Sequence, residues 1–539
     1  MALAEAVVED LLVHSPEEAT VLGDHRYDDR LTDRDPAALA AYQRLLSTRL
    51  AEVRAVDPAE LGPDNRVDRS VLANRLASSV FELSELRPQQ HDPLAANPGW
   101  ALNALLSRDF APLPDRLRAL TSRLGELPRA LAVSRGQLRE MPRVHLETAV
   151  GQFTGLTSLV VDQVDQALAE VPALTGEVDK AREGALAALA EHTDWLRAQL
   201  ADPGRVDADP RLGAERYAAK LAFALETDFD PDRLLAQAEA DLARAEEQIR
   251  QVAAGITGER PDTPGLVARV LAELAEDRPD DSSIVELCRT ALEETTTFVR
   301  GADLVTVYED PTEIIVMPEF VRGVAVAYCD PPGPLDARSL PTYVAVAPTP
   351  AGWPADRVDS FYREYNRHLV RNLMVHEGVP GHMLQLAHSR RAVTPTRVRH
   401  AFFSGSFVEG WAVYAERLMA DRGYRDASLL MQQLKMRLRM IINTILDIRV
   451  HTRGMTEAEG MELMTRRGFQ EVGEAVGKWR RALLTSAQLP TYYVGYLEVD
   501  QLLRDLAEAR PGAGDRDLHD AVLAHGSPAC RHLRTLLEL

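Results

Sequence analysis

Residues 180–200 read KAREGALAALAEHTDWLRAQL. Apolar residues recur three and four positions apart in this stretch, and the helix-favouring residues Ala, Leu, Glu and Arg supply most of the rest. The same pattern continues from the N-terminus to about residue 300, interrupted by Pro, Gly and Asp, without the fixed period of a solenoid. The sequence therefore predicts a mainly helical protein, with further helices at 35–56, 231–254 and 282–299.

The pattern changes between residues 304 and 348. Four stretches there are short and β-branched or alternating, and Pro, Gly and Asp separate them, which predicts the strands of one small sheet. An exposed edge of such a sheet can pair with an extended peptide, and a purely structural hairpin fits the pattern equally well. The predicted strands are LVTVYED (304–310), EIIVMP (313–318), GVAVAYC (323–329) and TYVAVAP (342–348). Helices are predicted again at 357–376, 406–421, 426–451, 456–466 and 492–508.

These patterns predict an all-α body with one small sheet, arranged as two helical lobes around a central cleft. Residues 1–300 are expected to form the lid and one wall of the cleft. Residues 301–539 are expected to form the sheet and the second lobe. A chain of 539 residues can bury a large core, and the two lobes are expected to form one integrated structural domain.

The charge of the chain limits its partners. Acidic residues outnumber basic ones, 82 to 61, for a formal charge of −21, which repels nucleic acid and anionic membrane surfaces. The N-terminal segment carries acids where a signal peptide needs bases, and no apolar run approaches a membrane span. The cysteines Cys288, Cys329 and Cys530 lack disulfide or metal-site spacing. A cytoplasmic protein is therefore expected, with its oligomeric state left open.

The segment His376-Glu377-Gly378-Val379-Pro380-Gly381-His382 carries the first candidate chemistry. Zinc proteases commonly place two histidines four residues apart on a helix, with a glutamate beside the first. Here the step is six residues, which leaves the side chains about 120° apart on an unbroken helix. Pro380 and Gly381 predict a kink that could bring His382 beside His376, and a kinked helix without a metal is the alternative.

A third ligand is offered by FVEGWAVYAE (407–416), in which Glu409 and Glu416 lie seven residues apart on one face of an otherwise apolar helix. Carboxylates on such a helix are seldom buried unless they are paired or bind a metal. A surface position is favoured more for Glu416 than for Glu409. Two histidines, one glutamate and an open position for water would make a catalytic zinc site.

The stretches HEGVPGHMLQ (376–385) and FVEGWAVYAE resemble the paired motifs HExxPGHxxQ and EGWAxYxE of the domain of unknown function 885 family. These large helical bacterial proteins look similar to metallopeptidases of the thimet oligopeptidase and angiotensin-converting enzyme type. The resemblance covers most of the chain and is strongest from about residue 300 onward. Departures occur at Tyr493, where relatives often have lysine, and at Asn443, where arginine is common. Further family-like positions are Tyr328, Asp447, His451, Gln488, Tyr492 and Gly495.

The resemblance implies that His376, His382 and Glu409 bind one zinc ion and that Glu377 is the general base. Zinc would lower the pKa of its water to about 7, and Glu377 would take the proton as that water attacks a carbonyl. Manganese or iron would also suit two histidines and one carboxylate.

The oxyanion formed in such a reaction needs a hydrogen-bond donor. Tyr492 is the candidate, with Tyr493 and Tyr496 as rivals, and an aromatic wall residue is the alternative for each. His451 lies one turn after Asp447, so the two could satisfy each other or assist the substrate site. The weaker substrate-binding candidates are Tyr328, Gln385, Glu416, His451, Gln488 and Tyr493.

The function predicted from these residues is a zinc-dependent peptidase or amidase that acts on short peptides or small amides. A zinc enzyme acting on a non-peptide bond of a metabolite is one alternative, because polarised water also attacks other carbonyls. A helical binding protein without catalysis is another. The intact set of His376, Glu377, His382 and Glu409 argues against it.

Overall fold

A computed structural model describes residues 1–202, 208–227, 229–317, 326–350 and 352–539. Over these residues the protein is mainly helical with one small sheet, as the sequence predicts. The helices of the first part are α1 (Ala2–His14), α2 (Pro16–Leu22), α3 (Pro36–Ala55), α4 (Pro63–Phe81), α5 (Pro88–His91), α6 (Gly99–Ser107), α7 (Leu113–Gln137), α8 (Arg143–Ser158), α9 (Val164–Glu170), α10 (Thr175–Ala201), α11 (Ala214–Leu225), α12 (Pro231–Thr257), α13 (Leu266–Leu274) and α14 (Ile284–Gly301).

The remaining elements contain the sheet and the motif helices. The strands are β1 (Thr312–Val316), β2 (Ala327–Asp330) and β3 (Thr342–Val346). The helices are α15 (Ala355–Glu364), α16 (Arg367–Glu377), α17 (His382–Arg391), α18 (Val398–Ala401), α19 (Gly405–Asp421), α20 (Ala427–Arg453), α21 (Glu457–Glu462), α22 (Val472–Leu484), α23 (Pro490–Ala509), α24 (Asp515–Leu523) and α25 (Cys530–Leu536).

The sheet has the order β1-β3-β2. β3 pairs in parallel with β1, where Ile314 lies opposite Val344, and antiparallel with β2, where Cys329 lies opposite Val344. Val344 and Val346 are fully buried against α14 and α16, so one face of the sheet contributes to the core of the motif helices. The parts of the predicted strands at 318 and 323–325 lie outside the described residues.

The predicted strand at 304–310 is wrong. Leu304 is buried among helices, and its carbonyl oxygen accepts a hydrogen bond from His519 Nδ1 at 2.7 Å. The N–H of Thr306 donates to Asp520 Oδ1 at 3.0 Å. Side chains of α24 therefore satisfy backbone groups that a strand would have paired with a neighbouring strand.

The predicted helix at 357–376 is also wrong as a single element, because it is divided into α15 and α16. Asn366 Oδ1 accepts hydrogen bonds from the N–H groups of His368 and Leu369 at 3.2 and 3.1 Å. This side chain caps a new helix N-terminus. The direction of α16, which carries His376, is thus independent of α15.

The chain forms two compact units. The boundary between them lies at residue 210 and differs from the predicted one at 300. Helix α12 explains the difference, because its buried leucines and alanines pack along α20 in the core of the second unit. The first unit comprises 1–210, 332–340 and 395–401, and the second comprises 211–331, 341–394 and 402–539. The predicted lid and cleft stay predictions.

Within the first unit, α10 packs along α7 and α8, and α3 packs on α4. Arg399, which is 1% exposed, donates from Nε to Asp68 Oδ1 at 2.8 Å. Thr396 donates to the other oxygen of the same carboxylate at 2.7 Å. These bonds attach the segment 395–401 to α4.

Within the second unit, α19 and α23 cross with their backbones in contact. A Cβ atom on Gly495 would lie 1.9 Å from the carbonyl oxygen of Ser406, and one on Gly410 would lie 2.2 Å from the carbonyl carbon of Gly495. Only glycine at both positions allows this approach. The crossing brings Glu409, next to Gly410, and Tyr492, three residues before Gly495, into the same region.

Candidate metal centre

His376 and His382 lie on either side of a helix break. α16 ends at Glu377 and α17 begins at His382. The N–H of Gly381 donates to the carbonyl of Val375 at 2.9 Å, and a Cβ at Gly381 would lie 2.0 Å from the carbonyl oxygen of His376. The predicted break is therefore present, and it places the two imidazole ring centres 4.7 Å apart and nearly perpendicular, at 86°.

Glu409 of α19 faces both imidazoles. Its Oε2 lies 3.6 Å from His376 Nε2 and 3.5 Å from His382 Nε2. Possible ligand atoms of the three residues all lie within 4.8 Å of one another, and this is the one such group of His, Cys, Asp or Glu among the described residues. The structure thus brings together the three metal ligands that the sequence proposes.

The donor geometry fits a metal ion better than it fits hydrogen bonding. Glu409 Oε2 is a buried atom without a hydrogen-bond partner among the described residues, and both distances to the imidazole nitrogens exceed those of good hydrogen bonds. Two ligands at about 2.0–2.1 Å from a tetrahedral zinc ion lie roughly 3.3–3.4 Å apart. The observed separations are close to that edge length.

Glu416 contacts the Nδ1 side of the His376 imidazole ring. Its Oε1 lies 2.8 Å from His376 Nδ1, and its Oε2 accepts from Asn372 Nδ2 at 2.7 Å. An imidazole that donates its Nδ1–H to a carboxylate presents the lone pair of Nε2 to a metal. The expected surface position of Glu416 is wrong, because its side chain is 2% exposed.

Burial and nearby charges shift the pKa values of the carboxylates around the cluster. Burial raises the pKa of Glu377, although the neighbouring histidines oppose this, and its Oε2 accepts the N–H of Cys329 at 3.1 Å. Burial alone would raise the pKa of Glu409, and interactions with the two imidazoles instead hold it well below its usual range. A carboxylate with a raised pKa beside a metal-binding group has the property a general base needs.

Tyr492 of α23 has a hydroxyl oxygen that accepts two hydrogen bonds. The donors are Arg481 Nη2 at 3.1 Å and Gln488 Nε2 at 3.4 Å. Arg481 also donates to Gln488 Oε1 at 2.8 Å, which sets the orientation of that amide. Burial and the charge of Glu409 raise the pKa of Tyr492. Its phenolic hydrogen is thus retained and directed away from these two donors.

The rival tyrosines face other parts of the unit. Tyr493, 1% exposed, donates its hydroxyl to Asp241 of α12. Tyr496 accepts a hydrogen bond from Arg417 at 2.6 Å. Tyr493, the residue after Tyr492, points about 100° away from it around the helix. The prediction of either tyrosine as oxyanion donor, and of Tyr493 in the substrate site, stays a prediction.

Three weaker candidates have contacts that hold secondary-structure elements together. Gln385 is fully buried and donates to Ser527 Oγ at 2.7 Å. His451 Nε2 lies 2.9 Å from the carbonyl oxygens of both Ala482 and Thr485. Tyr328 of β2 packs against a small cluster at the sheet. The substrate contacts that the sequence suggests for these residues stay predictions.

Sequence reasoning missed Asn372 and Arg481. Asn372 lies four residues before His376 on α16, so helical spacing alone places it on the same face. Arg481 lies on α22, and no local pattern connects it with Tyr492 on the next helix.

The fold and the site define a mainly helical protein with a His-His-Glu group able to hold a metal ion. The chain belongs to the family described as bacterial protein of unknown function (DUF885), whose model matches residues 16–537. No curated protein matches the chain.

Two solved structures match the whole chain. One, from Shewanella oneidensis, is described as a putative lipoprotein of unknown function; it is 28% identical with a TM-score of 0.81, and the match covers 100% of this chain and 99% of that one. The other, a putative lipoprotein from Colwellia psychrerythraea, is 15% identical with a TM-score of 0.81, over 100% and 98% of the two chains. The second likeness shows the fold alone.

The cytoplasmic location expected from the sequence is contradicted by these two descriptions. The expectation rested on the charge of the N-terminal segment and on the lack of apolar spans. A lipoprotein is held at a membrane by attached lipid, which requires no spanning helix. Within the described residues, none of the helices combines the length and hydropathy needed to cross a bilayer.

Proposed function

We propose that this protein is a zinc-dependent hydrolase, a peptidase or amidase that acts on short peptides or small amides. The observation that carries the proposal is the convergence of His376 Nε2, His382 Nε2 and Glu409 Oε2, with Glu409 Oε2 buried and without a hydrogen-bond partner among the described residues. Buried polar atoms are nearly always satisfied, so an unsatisfied carboxylate oxygen facing two imidazoles points to a missing cation.

Each residue around the cluster has a defined part in the proposed reaction. A bound Zn²⁺ supplies a Lewis acid and lowers the pKa of water to about 7. Glu377, adjacent to His376 in sequence and positioned by the N–H of Cys329, accepts the proton of the attacking water. Tyr492 donates its phenolic hydrogen to the oxyanion that develops on the substrate carbonyl.

The sheet favours a peptide as substrate over a metabolite without a peptide backbone. β2 lies at one side of the described sheet, and the N–H of its Cys329 points to Glu377. A peptide bound beside β2 would lie next to the proposed general base. The proposal includes a zincin-like cleft. It also includes the likeness to peptidases of the thimet oligopeptidase and angiotensin-converting enzyme type.

Metal analysis of the purified protein tests the proposal directly. Inductively coupled plasma mass spectrometry should find about one zinc per chain in the wild type, and none in His376→Ala, His382→Ala or Glu409→Ala. His451→Gln, which alters a buried histidine outside the cluster, is the matched control and should keep the metal. Wild-type protein that carries no metal and gains none on zinc addition would contradict the proposal.

The second test measures hydrolysis of a library of short peptides. Glu377→Gln should keep its zinc and lose activity by about 10²–10⁴-fold, because it removes the general base and leaves the ligands in place. Digestion of the library by the wild type distinguishes a peptidase from an enzyme of other carbonyl chemistry. A zinc-loaded wild type that cleaves no peptide would refute the peptidase assignment.

A further inference from the structure

The second unit contains a pocket of about 70 Å³ lined by residues of α15, α22 and the segment just before β2. Trp353 and Phe361 form an aromatic wall with their ring centres 5.9 Å apart. Lys478 and Arg481, one turn apart on α22, supply positive charge to the same pocket. Arg481 also donates to the hydroxyl of Tyr492, so the pocket adjoins the proposed active site.

The two carboxylates of the pocket are already neutralised by other cations. Glu364, 1% exposed, accepts from Lys435 Nζ and from the backbone N–H of Glu471, both at 2.9 Å. Glu474 forms an ion pair with Arg439 and accepts from the hydroxyl of Tyr365 at 2.9 Å. Neither carboxylate forms an ion pair with Lys478 or Arg481.

Lys478 is a buried lysine without a carboxylate partner; burial, together with the charges of Arg439 and Arg481, lowers its pKa well below the usual range. Its side chain is 7% exposed, and it makes no hydrogen bond or ion pair with any described residue. Arg481 bonds to Gln488 and Tyr492, which are both neutral, and forms no ion pair within the described parts of the chain. Arg481 keeps its charge without an ion-pair partner, and an anion bound beside it would also favour the charged form of Lys478. The two basic side chains at one pocket therefore indicate a place for an anion. The chain as a whole has a formal net charge of −21, so the basic side chains of this pocket contrast with the acidic rest of the protein.

We propose that this pocket binds a carboxylate of the substrate through Lys478 and Arg481, with Trp353 and Phe361 packing against the apolar part of the same residue. The inference rests on the proposed hydrolase function and names its substrate class: short peptides anchored by a carboxylate, foremost a free C-terminus. Arg481 forms a fork of donors that suits a carboxylate, and Lys478 adds a point charge.

Binding of matched peptides tests this assignment without requiring turnover. Isothermal titration calorimetry on full-length zinc-loaded Glu377→Gln protein compares N-acetyl-Ala-Ala-Phe as free acid with its C-terminal amide. The acid is expected to bind at least tenfold more tightly. Adding Lys478→Met should reduce the preference to less than threefold, and Lys478→Arg should restore most of it. Arg466→Met, which removes an exposed cation paired with Glu462, is the control and should change nothing.

The source of the carboxylate is distinguished by a third probe, N-acetyl-Ala-Asp-Ala-amide. Tighter binding of this peptide than of the free acid, with loss in Lys478→Met, assigns the pocket to an acidic side chain. Equal binding of acid and amide, or no binding of any probe, overturns the proposal. If the protein prefers carboxylate peptides but hydrolyses no peptide, the binding role of the pocket is supported and the proposed hydrolase function is contradicted.

Thermal unfolding separates a binding role from a structural one. Lys478→Met removes a buried amine whose charged form is disfavoured by burial and keeps the side-chain volume, so its Tm should equal or exceed that of the wild type. A lower Tm would mean that the ammonium group stabilises the fold, and the binding role would then fail.

Discussion

Two regions of the second unit each combine a buried histidine, a carboxylate and a tyrosine. In the closed network around His451, each residue binds a protein partner through at least one atom: His451 Nε2 lies 2.9 Å from two carbonyl oxygens, and Asp447 Oδ2 accepts from Tyr217 and from the N–H of Ala487, each at 2.8 Å. Only Asp447 Oδ1 of this carboxylate has no hydrogen-bond partner among the described residues. In the cluster around His376, the Nε2 atoms and Glu409 Oε2 point toward one another without forming hydrogen bonds.

The charge states of the two regions differ as well. Burial lowers the pKa of His451 to about 4 and raises that of Asp447 to about 7, so the network tends toward neutral groups. The carboxylates Glu409 and Glu416 instead raise the pKa of His376 against the effect of burial. Similar residue types thus form a structural network where their partners are backbone groups, and a candidate ligand site where their donors converge.

The largest expected effect comes from removing a hydroxyl on each side of this comparison. Tyr492→Phe should lower kcat by about 10²–10³-fold with zinc retained, because the oxyanion loses its donor. Tyr217→Phe should leave kcat unchanged and reduce stability by about 1–3 kcal/mol, because Asp447 loses a buried partner. Peptide hydrolysis and urea unfolding of both variants measure this, and equal effects on kcat would remove the distinction between the regions.

A smaller effect is expected from neutralising one carboxylate on each side. Glu416→Gln should weaken zinc binding by about 10–100-fold, since it no longer accepts the Nδ1–H of His376 with full charge. Asp447→Asn is the matched change in the closed network and should leave zinc affinity as in the wild type. Competition with a chelator of known affinity gives both values, and an unchanged Glu416→Gln would show that this carboxylate does not support the ligand.

The subtlest effect concerns the pH dependence of stability. Burial holds the pKa of Asp447 at about 7 in the folded protein, against 3.8 for an unperturbed aspartate. The folded state therefore keeps this proton more tightly than the unfolded state, and its contribution to stability is lost as pH rises from about 4 to 7. Asp447→Asn should show a smaller decline of stability between pH 5 and pH 8 than the wild type.

Urea unfolding at several pH values measures the slope for each protein. Parallel wild-type and Asp447→Asn curves would show that Asp447 has the same pKa in the folded and unfolded chains. Glu416→Gln serves as a comparison here, because the same measurement separates the effect of a buried acid in the network from that of one beside the cluster.

Local patterns predict the helices where neighbouring residues determine them. Asp35 and Asp426 accept backbone N–H groups at the starts of α3 and α20, within one residue of the predicted helix starts. The predicted strand at 304–310 fails because Leu304 and Val305 are buried among helices and its backbone binds side chains of α24. Strand propensity depends on burial against neighbours that a local pattern does not identify.

The candidate ligands were also predictable as residue types, since His376, His382 and Glu409 occur in recognisable motifs. Their closeness was not, because it depends on the turn at Gly381 and on the placement of α19 beside α16. The same limit applies to Tyr492. The sequence does not show whether Tyr492 or Tyr493 faces the cluster, because the bond from Tyr493 to Asp241 joins distant parts of the chain.

The sequence by itself determined that the protein is mainly helical with one small sheet, and it determined which residues are able to bind a metal. These properties depend on spacing, capping and side-chain chemistry within a few residues. Only the tertiary structure decided which buried polar groups are satisfied and which converge without partners. The physical reason is that such partners come from distant parts of the chain, as in Glu416 with His376, 40 residues away, and Tyr493 with Asp241, 252 residues away.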